Sequence, residues 1–262
     1  MGLDYLGLVH KGDIKENNIV LMASVDGARL YEHKESDWWI LIWIFANLSP
    51  QKQYQKECVQ LGTFIPGPNK PKHLDSLFFP LLHHPSMLQN EGLKFWDANH
   101  NLTFQSNLYL LFPTVDGPSL VDWDGLVGHS NRNGCHIYCG ILRCCKSHGH
   151  YYYPVLIKPR DWCAADSDHP DINVLNLPLG SSEAYADNLW RLVALPNHTQ
   201  YDQCKTKTKT TKAPLILRLG LQCSLGIPYC MTTDIMHLTG NISDLLHNCT
   251  LGSYDWLWCL HS

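Results

Sequence analysis

The chain has 262 residues, of which 45% are hydrophobic, and it carries a formal net charge of −4. This length suits one large or two small globular domains, and no apolar run approaches the roughly 18 residues of a membrane span. The acidic balance argues against a protein that binds DNA through its overall charge. Eleven cysteines without an export signal indicate reduced thiols or a metal site. We therefore expect a soluble intracellular protein with no membrane partner.

Three strand-like segments open the chain. Asn17–Val25 is rich in strand-forming residues and is followed by Asp26 in an Asp-Gly turn signal. Trp38–Ala46 is apolar throughout, which favours a strand buried on both faces. Cys58–Ile65 is a third strand, and Pro66 ends it because proline has no N–H for the ladder. The short connections predict that the three strands form a meander.

A helix and a fourth strand follow. Apolar residues recur at three- and four-residue spacing from Pro71 onward, and Pro80 is expected to kink or end this helix, with Pro85 limiting it further. Phe104–Phe112 then has a strand pattern, and Asp116 follows it in a turn rich in proline and glycine. This order predicts an α/β protein with a ribonuclease-H-like core (βββαβ, mixed sheet), in which the fourth strand lies beside the first.

The regular spacing of apolar residues is lost beyond residue 125. We predict three domains: residues 12–125 as the first part of the core, 126–213 as a Cys/His-rich loop insertion, and 214–262 as a segment of C-terminal helices. Pro214–Leu221 and Asp234–His247 are the predicted helices of the last segment. The basic run Lys205–Lys212 is interpreted as a solvated flexible loop.

Asp26 and Asp116 are candidate metal ligands. Metal-dependent phosphodiester cleavage uses two divalent ions about 4 Å apart, held by carboxylate oxygens. Since the predicted topology brings the ends of the first and fourth strands together, we expect these distant aspartates to converge. The alternative is that each one only marks an Asp-Gly turn. Asp122 and Asp124 are further candidate metal ligands. The alternative is that they are polar residues of the next loop without a role in metal binding.

Cys135 and Cys139 begin a cluster of cysteines and histidines. Their i, i+4 spacing would point both thiolates the same way on one helical turn, where they could hold Zn²⁺. The alternative is that they pack as small apolar groups. The remainder of the cluster is Cys144, Cys145, His148 and His150, preceded by His129 as a structural or site-orienting residue.

Five sequence blocks carry a family resemblance: ASVDGARLYEHKESDWWILIWIFANLSP, GTFIPGPNKPKHLDSLFFPL, TVDGPSLVDWDGLVGHSNRNGCHIYCG, HYYYPVLIKPRD and GIPYCMTTDIMHLTGNISDLL. They span roughly residues 12–247. In content and order they resemble the transposase of CACTA-type (En/Spm-like) DNA elements, in its fungal version.

The resemblance implies a DDE/D recombinase. Such an enzyme binds Mg²⁺ or Mn²⁺ through three carboxylates, nicks DNA at the transposon ends and joins the freed strand to target DNA. Asp26 and Asp116 match the first two acids by position. We assign Asp234 to the third, although the alternatives are Asp244, Asp255 or an acid beyond Ser262.

The resemblance also implies partners and a second metal. Cys135 and Cys139 are expected to join Asp234 or His237 in a zinc site. The expected partners are DNA and a full-length transposase, and an oligomer is compatible with both. The active protein would be nuclear.

Family members are longer than this chain, so we expect a truncated copy that is inactive as this fragment. The alternative functions are a non-catalytic remnant that binds DNA or protein weakly, and a zinc-binding interaction module unrelated to DNA.

Overall fold

The computed structural model of the chain describes residues 3–29, 37–67, 73–128, 131–142, 144–145, 152–153, 173–176, 178–220 and 224–231, together with Thr239, Gly240, Ser243 and His247. Within these ranges, no helix has the length and apolarity that a bilayer span requires.

The helices and strands follow one another along the chain in this order: α1 (Leu3–Lys11), β1 (Ile19–Arg29), β2 (Asp37–Phe45), α2 (Pro50–Gln53), β3 (Val59–Pro66), α3 (Leu74–Glu91), β4 (Leu93–Asp97), β5 (Leu102–Ser106), β6 (Leu108–Val115), α4 (Gly117–Asp124), β7 (Cys144–Cys145), β8 (Tyr152–Tyr153), α5 (Ser182–Val193) and α6 (His198–Thr208). Short 3-10 helices cover Lys56–Cys58, Val174–Asn176 and Leu215–Arg218.

The main sheet has four strands in the order β3-β2-β1-β6. β2 pairs antiparallel with both β1 and β3, whereas β6 runs parallel to β1. The predicted α/β class, the mixed sheet and the opening meander are therefore confirmed. β6, which contains the later part of the predicted fourth strand, lies beside the first strand, as predicted.

α1 and α3 cover opposite faces of this sheet. Val20 and Met22 of β1 belong to a buried cluster against which Tyr5 and Leu8 of α1 pack. The alternate residues of β1, together with residues of α3, line a cleft of about 720 Å³ on the other face. This alternation follows from the period of two of a β-strand.

The predicted turn at Asp26 is wrong. β1 continues through it to Arg29, with Asp26 opposite Ile40 and Gly27 opposite Trp39. The Asp-Gly pair is a local signal, and here the long apolar partner strand β2 offers ladder hydrogen bonds that outweigh it. Asp26 therefore lies inside a strand and not after its end.

The predicted strand Phe104–Phe112 is two strands. Its first residues belong to β5, which pairs with β4 in a separate two-stranded sheet, and its last residues belong to β6. Asn107 separates them, and its carbonyl oxygen accepts hydrogen bonds from the N–H of Ile19 and from Asn18 Nδ2, both at 3.0 Å. The break fixes where β6 starts to pair with β1.

The predicted end of the helix at Pro80 is wrong, because α3 runs through both Pro80 and Pro85 to Glu91. An internal proline costs about 3 kcal/mol. A buried stripe along the helix offsets this cost, and Gln89 Oε1 accepts a hydrogen bond from the N–H of Gly220 at 3.0 Å. The buried residues are Leu74, Phe78, Leu82, Pro85 and Gln89.

Gly62 lets α3 approach the sheet closely. Leu41 pairs with Thr63 while Ile42 pairs with Leu61, so Gly62 is the unpaired residue of a β-bulge. A Cβ atom at Gly62 would lie 2.5 Å from Cδ2 of Leu41 and 2.9 Å from Cδ1 of Leu81 in α3. A larger residue at this position would require the side chains of Leu41 and Leu81 to move.

The chain divides into two compact units, the first made of Met1–Val115, Asp122–Asp124 and Ala213–Thr232, and the second of Asp116–Val121, Gly125–Lys212 and Thr233–Ser262. The predicted helix at Pro214–Leu221 is only a 3-10 turn, framed by Pro214 and Gly220. In Asp234–His247 the structure describes four residues, all helical.

The predicted flexible loop at Lys205–Lys212 is wrong for its first half, which belongs to helix α6. Lys205 and Lys207 lie in the last turns of α6, and Lys209 caps its carboxyl end in the left-handed conformation, with φ at 68°. Basic side chains in the last turn interact favourably with the helix dipole, which explains why this polar run is helical.

Candidate metal and active site

The two candidate aspartates come directly after the last residue pair of the parallel ladder between β1 and β6. Val25 of β1 pairs with Val115, the last residue of β6. Asp26 and Asp116 are the next residues of the chain, Asp26 being exposed and Asp116 half-buried. The convergence of the two carboxylates themselves stays a prediction.

Asp116 begins helix α4. Its Oδ1 accepts a hydrogen bond from the N–H of Ser119 at 2.9 Å, which makes it the N-cap. The predicted turn rich in proline and glycine is therefore the start of a helix. The signal was available in the sequence, because an aspartate followed by a proline in the first turn is typical of a helix start. A carboxylate has further lone pairs, so the cap leaves it able to bind a cation.

Asp122 and Asp124, the further metal-ligand candidates whose alternative role was in the next loop, lie on α4. Asp124 is completely buried and Asp122 is half-buried. Trp123 between them is 1% exposed, and its ring lies 5.2 Å from that of Phe78 of α3. The last turn of α4 is thus part of the core and does not face solvent as the loop hypothesis required.

Cys230 is a buried thiol near Asp124 that sequence reasoning did not single out. Burial raises its pKa to about 12, and the charge of Asp124 raises it further in the same direction. Because the pKa of Cys230 is higher in the folded chain than in the unfolded chain, the unfolded chain ionises first as the pH rises. The full contribution of the neutral thiol to the free energy of unfolding is therefore present below the ordinary thiol pKa. It is lost as the pH rises toward 12.

We expect the Cys230→Ala variant to lose less stability than the wild-type chain between about pH 9 and pH 12, because it has no thiol to ionise on unfolding. Urea unfolding at several pH values measures the difference. A Cys58→Ala variant is the control, since that cysteine is only half-buried. Parallel pH dependence of all three proteins would contradict the prediction.

Cys135 and Cys139 do not lie on a helix, because the described residues 131–142 form turns and extended chain. The structure nevertheless brings their Sγ atoms to 2.8 Å. Tyr138 between them has φ at 55°, a left-handed conformation that breaks any helical turn. Burial raises the pKa of Cys139, and the adjacent Cys135 thiol raises it further.

Tyr138 anchors this cysteine segment to α5 and α6. Its hydroxyl donates a hydrogen bond to the carbonyl oxygen of Thr208 at 3.0 Å and accepts one from Nδ2 of Asn188 at 2.5 Å. Its ring packs edge-on against Tyr185 at 5.7 Å, and Lys209 Nζ lies 5.8 Å from the ring centre. The two thiols are therefore carried by a packed segment.

The structure does not place the remaining predicted ligands at the aspartate site or at the cysteine pair. Asp234 and His237 lie outside the described residues, as do His129, His148 and His150. Across the described ranges, no group of three or more His, Cys, Asp or Glu side chains is arranged to hold a metal ion. Cys135 and Cys139 form a pair of donors, and Asp26 and Asp116 directly follow the paired residues Val25 and Val115 in the chain.

Comparison with known proteins adds one finding. Residues 10–154 match the transposase family tnp2, which is 145 of the 262 residues and includes the whole four-stranded sheet, both aspartates and both cysteines. A comparison with curated proteins found no match.

Proposed function

Because the chain belongs to the transposase family tnp2, we propose that it carries the first part of a ribonuclease-H-like core of the DDE/D type, which cleaves DNA with divalent metal ions and transfers the freed strand. One observation carries the proposal. Two strands far apart in sequence pair in parallel up to Val25 and Val115, and the next residue of the chain after each of these two is an aspartate. If each aspartate only marked an Asp-Gly turn, there would be no reason for both to follow the same residue pair of two neighbouring strands.

The donor chemistry of Asp26 and Asp116 fits Mg²⁺ or Mn²⁺, since both ions prefer carboxylate oxygens. Bound there, the ions would activate water for attack on a phosphodiester and stabilise the leaving oxygen. Asp234 is proposed as the third acid, on the resemblance to CACTA-type transposases.

The residues around the aspartates hold them in place. The backbone of Asp26 is paired with Ile40 in the ladder of β1 and β2. The side chain of Asp116 is oriented by the N–H of Ser119. The backbone of Asp26 and the side chain of Asp116 are therefore restrained, which lowers the cost of ordering the two residues around a cation. A divalent ion bound by both carboxylates would also balance their negative charges.

Nicking of supercoiled plasmid DNA by the purified full chain tests the proposal, with Mn²⁺ or Mg²⁺ present and with EDTA as control. Mn²⁺ binding by the protein is measured in parallel. A competent core would bind Mn²⁺ and nick the plasmid, and EDTA would abolish the nicking. Absence of Mn²⁺ binding would reject the metal-dependent core.

A second candidate function is a non-catalytic remnant that binds DNA weakly or pairs with a full-length transposase. The observation that favours it is the capping hydrogen bond of Asp116, which gives this carboxylate a structural task without any metal. Mn²⁺ binding without nicking would support this candidate over the nuclease. On the sequence blocks, we assign the protein to the fungal CACTA type and to the nucleus.

Cys135 and Cys139 are proposed to hold Zn²⁺ together with Asp234 or His237. Two thiolates on one zinc ion stand about 3.8 Å apart, given zinc–sulfur bonds of about 2.3 Å, so these thiols must separate by about 1 Å on binding. Their shared position on the segment anchored by Tyr138 supports the pairing. We expect one zinc per chain by metal analysis, and its loss in a Cys135→Ser/Cys139→Ser variant. Cys204→Ser, which changes a half-buried cysteine on α6, is the control.

A further inference from the structure

The second unit contains a basic cleft of about 750 Å³ that has no role in the proposed metal sites. Its cations are Lys205, Lys207, Lys209 and Arg132. The first three come from the end of α6, and Arg132 comes from a segment more than seventy positions earlier in the chain. Cations from two separate segments thus line one cavity.

The backbone around the cleft is fixed by hydrogen bonds. The N–H of Lys209 donates to the carbonyl oxygen of Lys205 at 3.1 Å, and the N–H of Val127 donates to that of Lys209 at 3.0 Å. Thr210 forms a bridge with Leu126 in addition. The backbone positions of Lys205 and Lys209 are consequently fixed before any ligand arrives, so binding has to order only their side chains.

The charges in the cleft are unbalanced. Among the described residues that line the cleft, four are cations and one, Asp202, is an anion, in a chain whose net charge is −4. The Oδ2 atom of Asp202 lies 2.9 Å from Nδ1 of His198, so this carboxylate has a neighbour of its own. The helix dipole accounts for lysines in the last turn of α6, whereas Arg132 belongs to a different segment.

We propose that this cleft binds phosphate groups of the backbone of duplex DNA. Thr206, Asn131 and Asn133 also line it, and hydroxyl and amide groups beside lysine and arginine are the usual partners of DNA phosphates. No aromatic side chain of the described residues lines the cleft, which disfavours stacking of single-stranded bases. The choice of DNA rests on the proposed function, whereas the phosphate chemistry rests on the cleft alone.

Binding of a fluorescent DNA duplex of about 30 base pairs, measured by anisotropy in EDTA at about 0.1 M salt, tests the inference on the full chain. The test variant is Lys205→Gln/Lys207→Gln, and the control is Lys52→Gln/Lys56→Gln. The control removes the same charge from exposed positions of the first unit. Thermal unfolding verifies that both variants fold.

We expect the test variant to bind at least about tenfold more weakly and the slope of log affinity against log salt to fall by about 1.8, since each phosphate contact contributes about 0.9. The control variant should bind as the wild type does. Equal affinity of the two variants would overturn the inference, as would binding of an RNA duplex in preference to DNA.

EDTA separates this test from that of the metal site. If the protein nicks DNA and both variants bind DNA equally, the proposed function stands and the phosphate-binding cleft is rejected. If the protein binds DNA through the cleft but does not nick it, the cleft stands and the nuclease is rejected.

Discussion

Replacing Asp26 by asparagine is expected to abolish Mn²⁺-dependent nicking, with a loss of at least about 100-fold in rate. Residues that only orient metal ligands cost about 10- to 100-fold when they are removed, so a ligand itself should cost no less. Asparagine keeps the size of the side chain but removes its charge. Because Asp26 is exposed and its backbone is held by pairing with Ile40, the strand should tolerate the change.

The comparison with Asp13→Asn decides whether the effect is local. Asp13 is also an exposed aspartate of the first unit, so this control loses the same charge. Nicking rate and Mn²⁺ affinity are measured for both variants, with circular dichroism as the test of folding. If Asp26→Asn and Asp13→Asn nick equally well, Asp26 is not a metal ligand and the proposed core fails.

Asp116 needs a different comparison because it caps α4. Asparagine is also a good N-cap, so Asp116→Asn should keep the hydrogen bond with Ser119 while losing the charge. We expect this variant to unfold at nearly the wild-type temperature and to bind Mn²⁺ at least about 100-fold more weakly, as in the first variant. Unchanged Mn²⁺ affinity would assign Asp116 to the cap alone.

The sheet could be predicted from sequence because each strand carries its own signal. The apolar run from Trp38 has no polar face, so it had to lie between neighbours, and the short connections on either side supplied them. The path of α3 could not be predicted in the same way. Pro80 is a local signal to stop, whereas the buried stripe that keeps the helix intact forms only after the sheet and α4 are in place.

The candidate site was predictable only in part, for a similar reason. Strand order anticipated the pairing that ends at Val25 and Val115, since it follows from topology. The conformation at Tyr138 did not follow from spacing, because an i, i+4 rule for the two cysteines assumes a helix. The contacts of Tyr138 with Thr208 and Asn188 join positions 50 or more residues apart, and no local pattern encodes them.

Trp123→Ala is expected to lower the free energy of unfolding by about 3–5 kcal/mol, the usual loss for a large buried aromatic side chain. The ring is almost inaccessible and packs on Phe78, which is itself 2% exposed. In the part of the chain that the structure describes, the indole Nε1 has no hydrogen-bond partner. Trp123→Phe should therefore lose less, because it removes volume without breaking a hydrogen bond.

Urea unfolding measures these losses, and Trp190→Ala is the control. Trp190 is 73% exposed on α5, so its removal should change the free energy of unfolding by no more than about 0.5 kcal/mol. A small loss for Trp123→Ala would mean that α4 does not depend on this contact. A large loss would mean that the end of α4 at Trp123 is held in the core by its packing on Phe78.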